Sequence, residues 1–151
     1  EIGSGLVGSE MCIRDRIFYM LDNCGEAVVD RLLMEPYADK LVIGVRGKPV
    51  LNDVTRREAM LSGIDFAPVL DTGDRAPGVS LRRSSPEILD ALHSADLVIS
   101  KGQGNFESLD EDFRGPVYFL LRIKCKVIAE RLRQPLGSIQ ILGRNLHAET
   151  R

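Results

Sequence analysis

The residues able to do chemistry in this chain begin with Asp22 and Asn23, set directly after the apolar run IFYML, continue with Asp53 in RGKPVLND, and end with Lys101 in KGQGN. Asp22 and Asn23 offer one charged and one neutral oxygen from adjacent positions, and Asp53 adds a second carboxylate. Such hard oxygen donors suit Mg²⁺ or Mn²⁺, whereas no histidine and cysteine set points to structural zinc. The plainer alternative for each, taken singly, is that Asp22 or Asn23 caps the following helix and Asp53 the next. Lys101 brings a point charge for a phosphoryl group, with Gly102 and Gly104 letting backbone N–H groups approach an anion and Asn105 able to donate to a phosphoryl oxygen. The stretch has neither the spacing nor the Lys-Ser/Thr pair of a Walker A loop, and a surface turn is its alternative. A hard cation, a lysine and exposed amides are the parts of phosphoryl chemistry, with a metal-activated water or Asp22 itself as attacking group.

Those residues need a frame that brings them together. Ile17 to Leu21 reads as a buried strand, and Gly25 to Tyr37 as a helix whose Val28, Val29, Leu32 and Leu33 share one side, ending at Pro36. Leu41 to Val45 is a second apolar strand, which makes a crossover unit. A helix from Thr55 to Leu61 follows, with Asp53 or Thr55 as cap and Gly63 as stop. The remaining expectations are a strand over 66–70, a helix opening at Ser84 or Ser85, a strand over 95–100, a short helix near 106–110, and a strand in VYFLL. The tail reads as a short strand ending near Ala129 and an edge strand in SIQIL. The fold class is therefore α/β: three layers, with a mostly parallel, Rossmann-like sheet of about five or six strands and helices on both faces. DNCGE, RGKPVLND and KGQGN each follow a strand, so they should meet at the sheet's carboxyl edge as one site.

Composition narrows the classes. The chain has 151 residues, 44% hydrophobic, and its 20 basic and 22 acidic side chains leave a net charge of -2, which fits one domain with a sizeable core and no nucleic-acid face. No apolar run is long enough to cross a membrane, and three cysteines without a close pair suit a reducing, cytoplasmic setting. Cys24 has no flanking histidine or lysine to activate it and reads as a packed residue, as does Cys125. Glu26 could orient Lys101, Arg46 or a ligand hydroxyl; Arg46 could meet a phosphate or carboxylate; Asp74 could contact a sugar hydroxyl or simply form a turn. His93 and His147 are isolated, and the basic residues around Lys124 read as a solvated face.

Together, DNCGEAVVDRLL, VRGKPVLNDVT, TGDRAPG, ADLVISKGQGNFESL and VYFLLRIKCKVIAE resemble the damage-control phosphatase family, specifically its compact microbial branch, in order from about Ile17 to Leu142. The resemblance implies a metal-dependent phosphatase of small phosphorylated metabolites, including sugar phosphates and damaged phospho-metabolites. One divalent ion (Mn, Mg, Ni or Co) would sit on Asp22, Asn23 and Asp53, with Asp22, Lys101 and Asn105 as catalytic groups. Glu26, Arg46, Asn52, Asp74, Gly102 and Gly104 would line the substrate pocket. The partner expected is the small metabolite, with neither nucleic acid nor membrane.

The resemblance also implies a helical region N-terminal to the core, which is missing here. Residues 9–16, SEMCIRDR, read as translated adapter sequence, so 1–16 are expected to be a non-native or disordered leader, 17–142 the phosphatase core and 143–151 a tail. Exposed apolar surface is expected where the missing helices would dock. Two other accounts compete: a non-catalytic fragment or anion-binding α/β module, and a haloacid-dehalogenase-like phosphatase. The latter wants a second Asp where Cys24 stands.

Overall fold

The computed structural model describes residues 16–146, so the leader through residue 15, with Cys12, and His147 lie outside the described residues. Among the described residues six strands form one sheet: β1 (Ile17–Met20), β2 (Leu41–Val45), β3 (Val69–Asp71), β4 (Leu97–Lys101), β5 (Val117–Arg122) and β6 (Ile139–Arg144). Their order is β3-β2-β1-β4-β5-β6, parallel except for β6, which runs antiparallel to β5. The central strand β1 pairs Ile17 with Leu41 on one side and with Leu97 on the other. Because β1 continues to β2 while β4 arrives from across the sheet, the order reverses between β1 and β4. That is the switch point where an open sheet leaves a crevice at its carboxyl edge.

Five helices of the described residues cover the sheet: α1 (Cys24–Met34), α2 (Arg56–Leu61), α3 (Pro86–Ser94), α4 (Gln103–Leu109) and α5 (Lys126–Leu132), with a 3-10 segment over Glu35–Lys40 after α1. Alternation along the strands sorts the core into two layers. Phe18, Met20, Val98 and Phe119 pack with Ile88 and Leu92 of α3, Phe106 and Leu109 of α4, and Ile128 of α5. Phe106 meets Phe119 edge to face at 5.1 Å. On the other face Tyr19, Leu21 and Ile43 pack with Ala27 and Met34 of α1 and Ala59 of α2.

The layers are unequal. Beyond β1 that second face carries no helix among the described residues, and Ile139 (80%) and Ile141 (68%) are open there. Helix α1 also turns opposite to its expected side. It buries Ala27, Asp30 and Met34, while Val28, Val29, Leu32 (70%) and Leu33 face out. Both sides of the helix are apolar enough to be read as the core side, and the inward row at i, i+3 and i+7 contains a carboxylate that periodicity alone assigns to solvent. Apolar side chains are thus exposed on α1 and on β6.

Three further expectations change. Helix α4 starts at Gln103, so KGQGN is the end of β4 and the first turn of a helix rather than a free loop. The stretch read as a strand ending near Ala129 is α5, whose Ile128, Ala129 and Leu132 reach the core at helical spacing. The strand expected over 66–70 is Val69–Asp71. Arg16, last of the expected leader, is already tied to the fold, its backbone N–H donating to Asp96 Oδ2 at 2.8 Å.

Candidate active site

DNCGE, RGKPVLND and KGQGN do meet at the carboxyl edge. The segment 52–55 is strapped to two strand ends: Cys24 N–H donates to Asn52 O, Val54 N–H to Asp22 O, and Arg46 N–H to Val54 O, each at 2.8 Å. This strapping sets Asp53 beside Asn23 and aims both aspartates at one guanidinium. Arg46 Nε donates to Asp53 Oδ2 at 2.7 Å, and one terminal nitrogen reaches Asp22 Oδ1 at 3.4 Å and Pro77 O at 3.2 Å. Arg46 is wholly buried, and its other terminal nitrogen has no acceptor. The solvated or substrate-facing role expected for Arg46 is therefore corrected: its charge is spent beneath the site on two carboxylates.

A second cation lies across the switch point. Lys101 Nζ donates to Asp30 Oδ1 at 2.7 Å and Glu26 Oε2 at 2.9 Å. The two acceptors differ in setting, since the Asp30 side chain is 7% exposed and that of Glu26 53%. Tyr19, buried on β1, donates its hydroxyl to the same Asp30 Oδ1 at 2.9 Å. Burial, helped by the Asp30 charge and hydrogen bond, pushes the Tyr19 phenol well above its ordinary pKa. Burial alone would lower Lys101, but the hydrogen bonds to Asp30 and Glu26 outweigh it and hold the ammonium above the usual lysine value.

Other expected site residues are placed differently. Asn23 Oδ1 accepts from Gly25 N–H at 2.7 Å, capping α1, so its amide oxygen is partly engaged. Asn105, expected to donate to a phosphoryl group, is fully buried. Its Nδ2 donates to Lys101 O at 2.7 Å and Leu21 O at 3.4 Å, and its Oδ1 accepts from Val79 N–H at 3.1 Å. It is a tie between the ends of β1 and β4 and the loop after β3, with no amide hydrogen left for a ligand. Gly102 N–H, expected to face an anion, donates to Leu120 O at 2.9 Å. What Gly102 provides is room: at φ 82° its missing side chain leaves space for the Asp22 carboxylate, which a Cβ would meet at 2.0 Å. Gly104 makes the same allowance for Pro77 O, outside the cleft that holds Lys101. Asp74 Oδ1 accepts from Ala76 N–H, the turn-forming alternative, and Asn52 is exposed. Cys24 Sγ donates to Asp53 O at 3.2 Å, and burial pushes its thiol up, so the packed reading stands.

Asp22, Glu26, Lys101 and Gly102 line a cleft of about 340 Å³, closed on the β5–β6 side by Leu120, Arg122, Lys124, Ile139 and Ile141. Burial and the neighbouring Asp53 charge raise Asp22 to about 6, against opposing pulls from Arg46 and Lys124. Lys124 thus borders the cleft while exposed to solvent, a place that the solvated-face reading did not give it. Its position at the end of β5, where a parallel strand reaches the same edge, was the available signal. Asp30 and Tyr19 were also missed, and an acid amid aliphatic residues on the buried row of α1 could have marked the former. No group of three or more His, Cys, Asp or Glu side chains arranged to hold a metal ion occurs among the described residues.

Residues 12–139 match the model of the damage-control phosphatase ARMT1-like domain. The chain belongs to that family. It is 37% identical over 131 residues to a damage-control phosphatase of Pyrococcus horikoshii and 33% identical over 129 residues to one of Archaeoglobus fulgidus, covering 83% and 82% of this chain. A Methanocaldococcus jannaschii protein described as uncharacterised is 42% identical over 136 residues, 85% of this chain. The crystal structure of a DUF89 family protein from Pyrococcus horikoshii superposes with a TM-score of 0.77 at 35% identity, over 86% of this chain and 48% of that one. The α/β architecture is therefore that of the family. The chain spans 45% of the length of each of these three relatives. No helix among the described residues is long and apolar enough to cross a membrane.

Proposed function

We propose that this domain is the catalytic half of a divalent-metal-dependent phosphomonoester hydrolase acting on small phosphorylated metabolites, sugar phosphates or damaged phospho-metabolites among them. Its family membership and two relatives named damage-control phosphatases support the reaction class. One observation carries the metal part. Asp22, Asp53, Glu26 and Asp30 gather around two paired cations, Arg46 and Lys101, so the carboxylates outnumber their partners, and Asp22 is the one left undercompensated. A hard dication fits that deficit. The donors for it would be Asp22, Asp53 and the free lone pair of the Asn23 amide oxygen, with Arg46 keeping the two aspartates together.

When bound, the ion would neutralise charge on the transferring phosphoryl group. The chain's own residues do the rest. Lys101 sets a fixed positive charge on the cleft wall, Glu26 and Asp30 orient it, and Lys124 stands at the rim as a second cation for the anionic substrate. The cleft's size suits a small metabolite. The dehalogenase-type alternative lacks its second aspartate, because Cys24 occupies that place and is bonded to Asp53 O.

Purified protein should bind Mn²⁺ and release phosphate from p-nitrophenyl phosphate in a Mn²⁺-dependent manner. Asp22→Asn and Asp53→Asn should each abolish both properties, while Lys101→Met should keep Mn²⁺ binding and retain only a small, measurable part of the turnover. Mn²⁺ binding that survives in both aspartate variants would overturn the metal assignment.

A further inference from the structure

Helix α1 spends its most enclosed polar position on a carboxylate while four aliphatic side chains of the same helix face outward. Asp30 Oδ1 takes two hydrogen bonds, from Tyr19 and Lys101, yet its Oδ2 is buried without any partner among the described residues. A buried carboxylate with an unpaired oxygen is a costly way to stabilise a helix, and apolar residues at such a place usually serve as well or better. Lys101 itself has three N–H donors, of which two go to Asp30 and Glu26. The third has no hydrogen-bond acceptor among the described residues.

We infer that Asp30, braced by Tyr19, is the positioning residue of the site: a permanent anchor that fixes Lys101 at the cleft wall so that its remaining N–H faces the phosphoryl group. The chain of contacts runs from β1 through Tyr19 to Asp30 on α1 and on to Lys101 on β4, and so spans the switch point at its two central strands. Glu26, half in solvent, is the exchangeable partner of the same ammonium and can yield to a ligand; Asp30 cannot move without leaving the core. Confining a flexible four-carbon side chain in this way removes the entropy that would otherwise be lost on meeting the substrate. Asp22 just after β1, Glu26 and Asp30 from α1, Arg122 at the end of β5 and Lys124 beyond it are the charged groups around this ammonium in the cleft and its wall. The inference rests on the phosphatase reading for what Lys101 does, though not for how it is held.

Two measurements on the intact chain decide it. In competitive acylation with acetic anhydride, read peptide by peptide, Lys101 should be protected in the wild type. It should become several-fold more reactive in Asp30→Asn and less markedly so in Tyr19→Phe, a variant that keeps the ring in the core, while Lys124 serves as an unchanged reference. In Mn²⁺-dependent hydrolysis of p-nitrophenyl phosphate, Asp30→Asn should lower kcat by about 10²-fold with little change in KM. Added to Lys101→Met, the same substitution should cost nothing more. Unchanged Lys101 reactivity in both variants, or losses that multiply in the double variant, would overturn the anchor role. A wild type that releases no phosphate counts against the phosphatase reading alone, since the acylation comparison still tests the anchor.

Discussion

The two ion clusters of the site each set one cation against two carboxylates, in opposite designs. In one, Arg46 lies wholly buried between Asp22 and Asp53, and a fixed cation serves the carboxylates. In the other, Glu26 and Asp30 hold Lys101, and the carboxylates serve a cation that borders the cleft. Arginine suits the first task because its fork reaches two acids at once and stays charged in the core; lysine suits the second because a compact ammonium can be steered and still keep a donor free. On the function proposed above, the difference separates the part of the site that is scaffold from the part that would meet a substrate.

Removing the scaffold cation should have the largest effect. Arg46→Met leaves two facing, largely enclosed carboxylates without their shared counter-ion and should cost on the order of 3 kcal/mol in urea denaturation, a loss that acid pH should partly restore. A change below about 1 kcal/mol would mean that the cluster is far better hydrated than its burial implies.

Asp22→Asn should act in the opposite sense. Asp22 is raised to about 6 from an ordinary 3.8, so the folded state binds its proton more tightly than the unfolded chain does. Its contribution to stability is then fully present below about pH 4 and lost as pH rises through about 6. In a chelating buffer the variant should be the more stable protein above pH 6, by up to roughly 3 kcal/mol, with the gap closing towards pH 4. A melting profile parallel to that of the wild type across this range would contradict the shift. Loss of function with gain of stability is the mark of a group placed for a ligand rather than for the fold.

On the working side, Glu26→Gln should change stability by no more than about 0.5 kcal/mol, since its pair with Lys101 is half in solvent. Thermal melts that showed a larger drop would place Glu26 with the scaffold. Smallest of all should be Val29→Gln on the outer side of α1, within about 0.5 kcal/mol and of either sign, because no core contact is lost.

Much of this frame was legible beforehand, for a physical reason. Strands buried in a parallel sheet read as unbroken apolar runs, so LVIGV and VYFLL stand out, and the polar clusters after them must lie at the carboxyl edge. Asp22, Asp53, Glu26 and Lys101 followed from that rule. What escaped was orientation. Periodicity does not say which side of α1 faces the sheet when both are apolar, so Asp30 went unnoticed and Val28 to Leu33 were turned inward. Glycines in KGQGN suggested a loop open to an anion, yet they serve close approach of Asp22 and Pro77 O, and Asn105 satisfies backbone groups in the core. A buried arginine such as Arg46 cannot be told from a surface one by its neighbours in the chain, because its partners come from other loops.

The claim at the centre is that Asp22, Asn23 and Asp53 form the seat of a dication facing Lys101. Anomalous diffraction from crystals soaked in Mn²⁺ and inorganic phosphate tests it most directly. The expected result is a single Mn²⁺ peak within coordination distance of oxygens from Asp22 and Asp53, with phosphate density next to Lys101 Nζ. Fully occupied Mn²⁺ at another position, with none bound to Asp22 and Asp53, would contradict it.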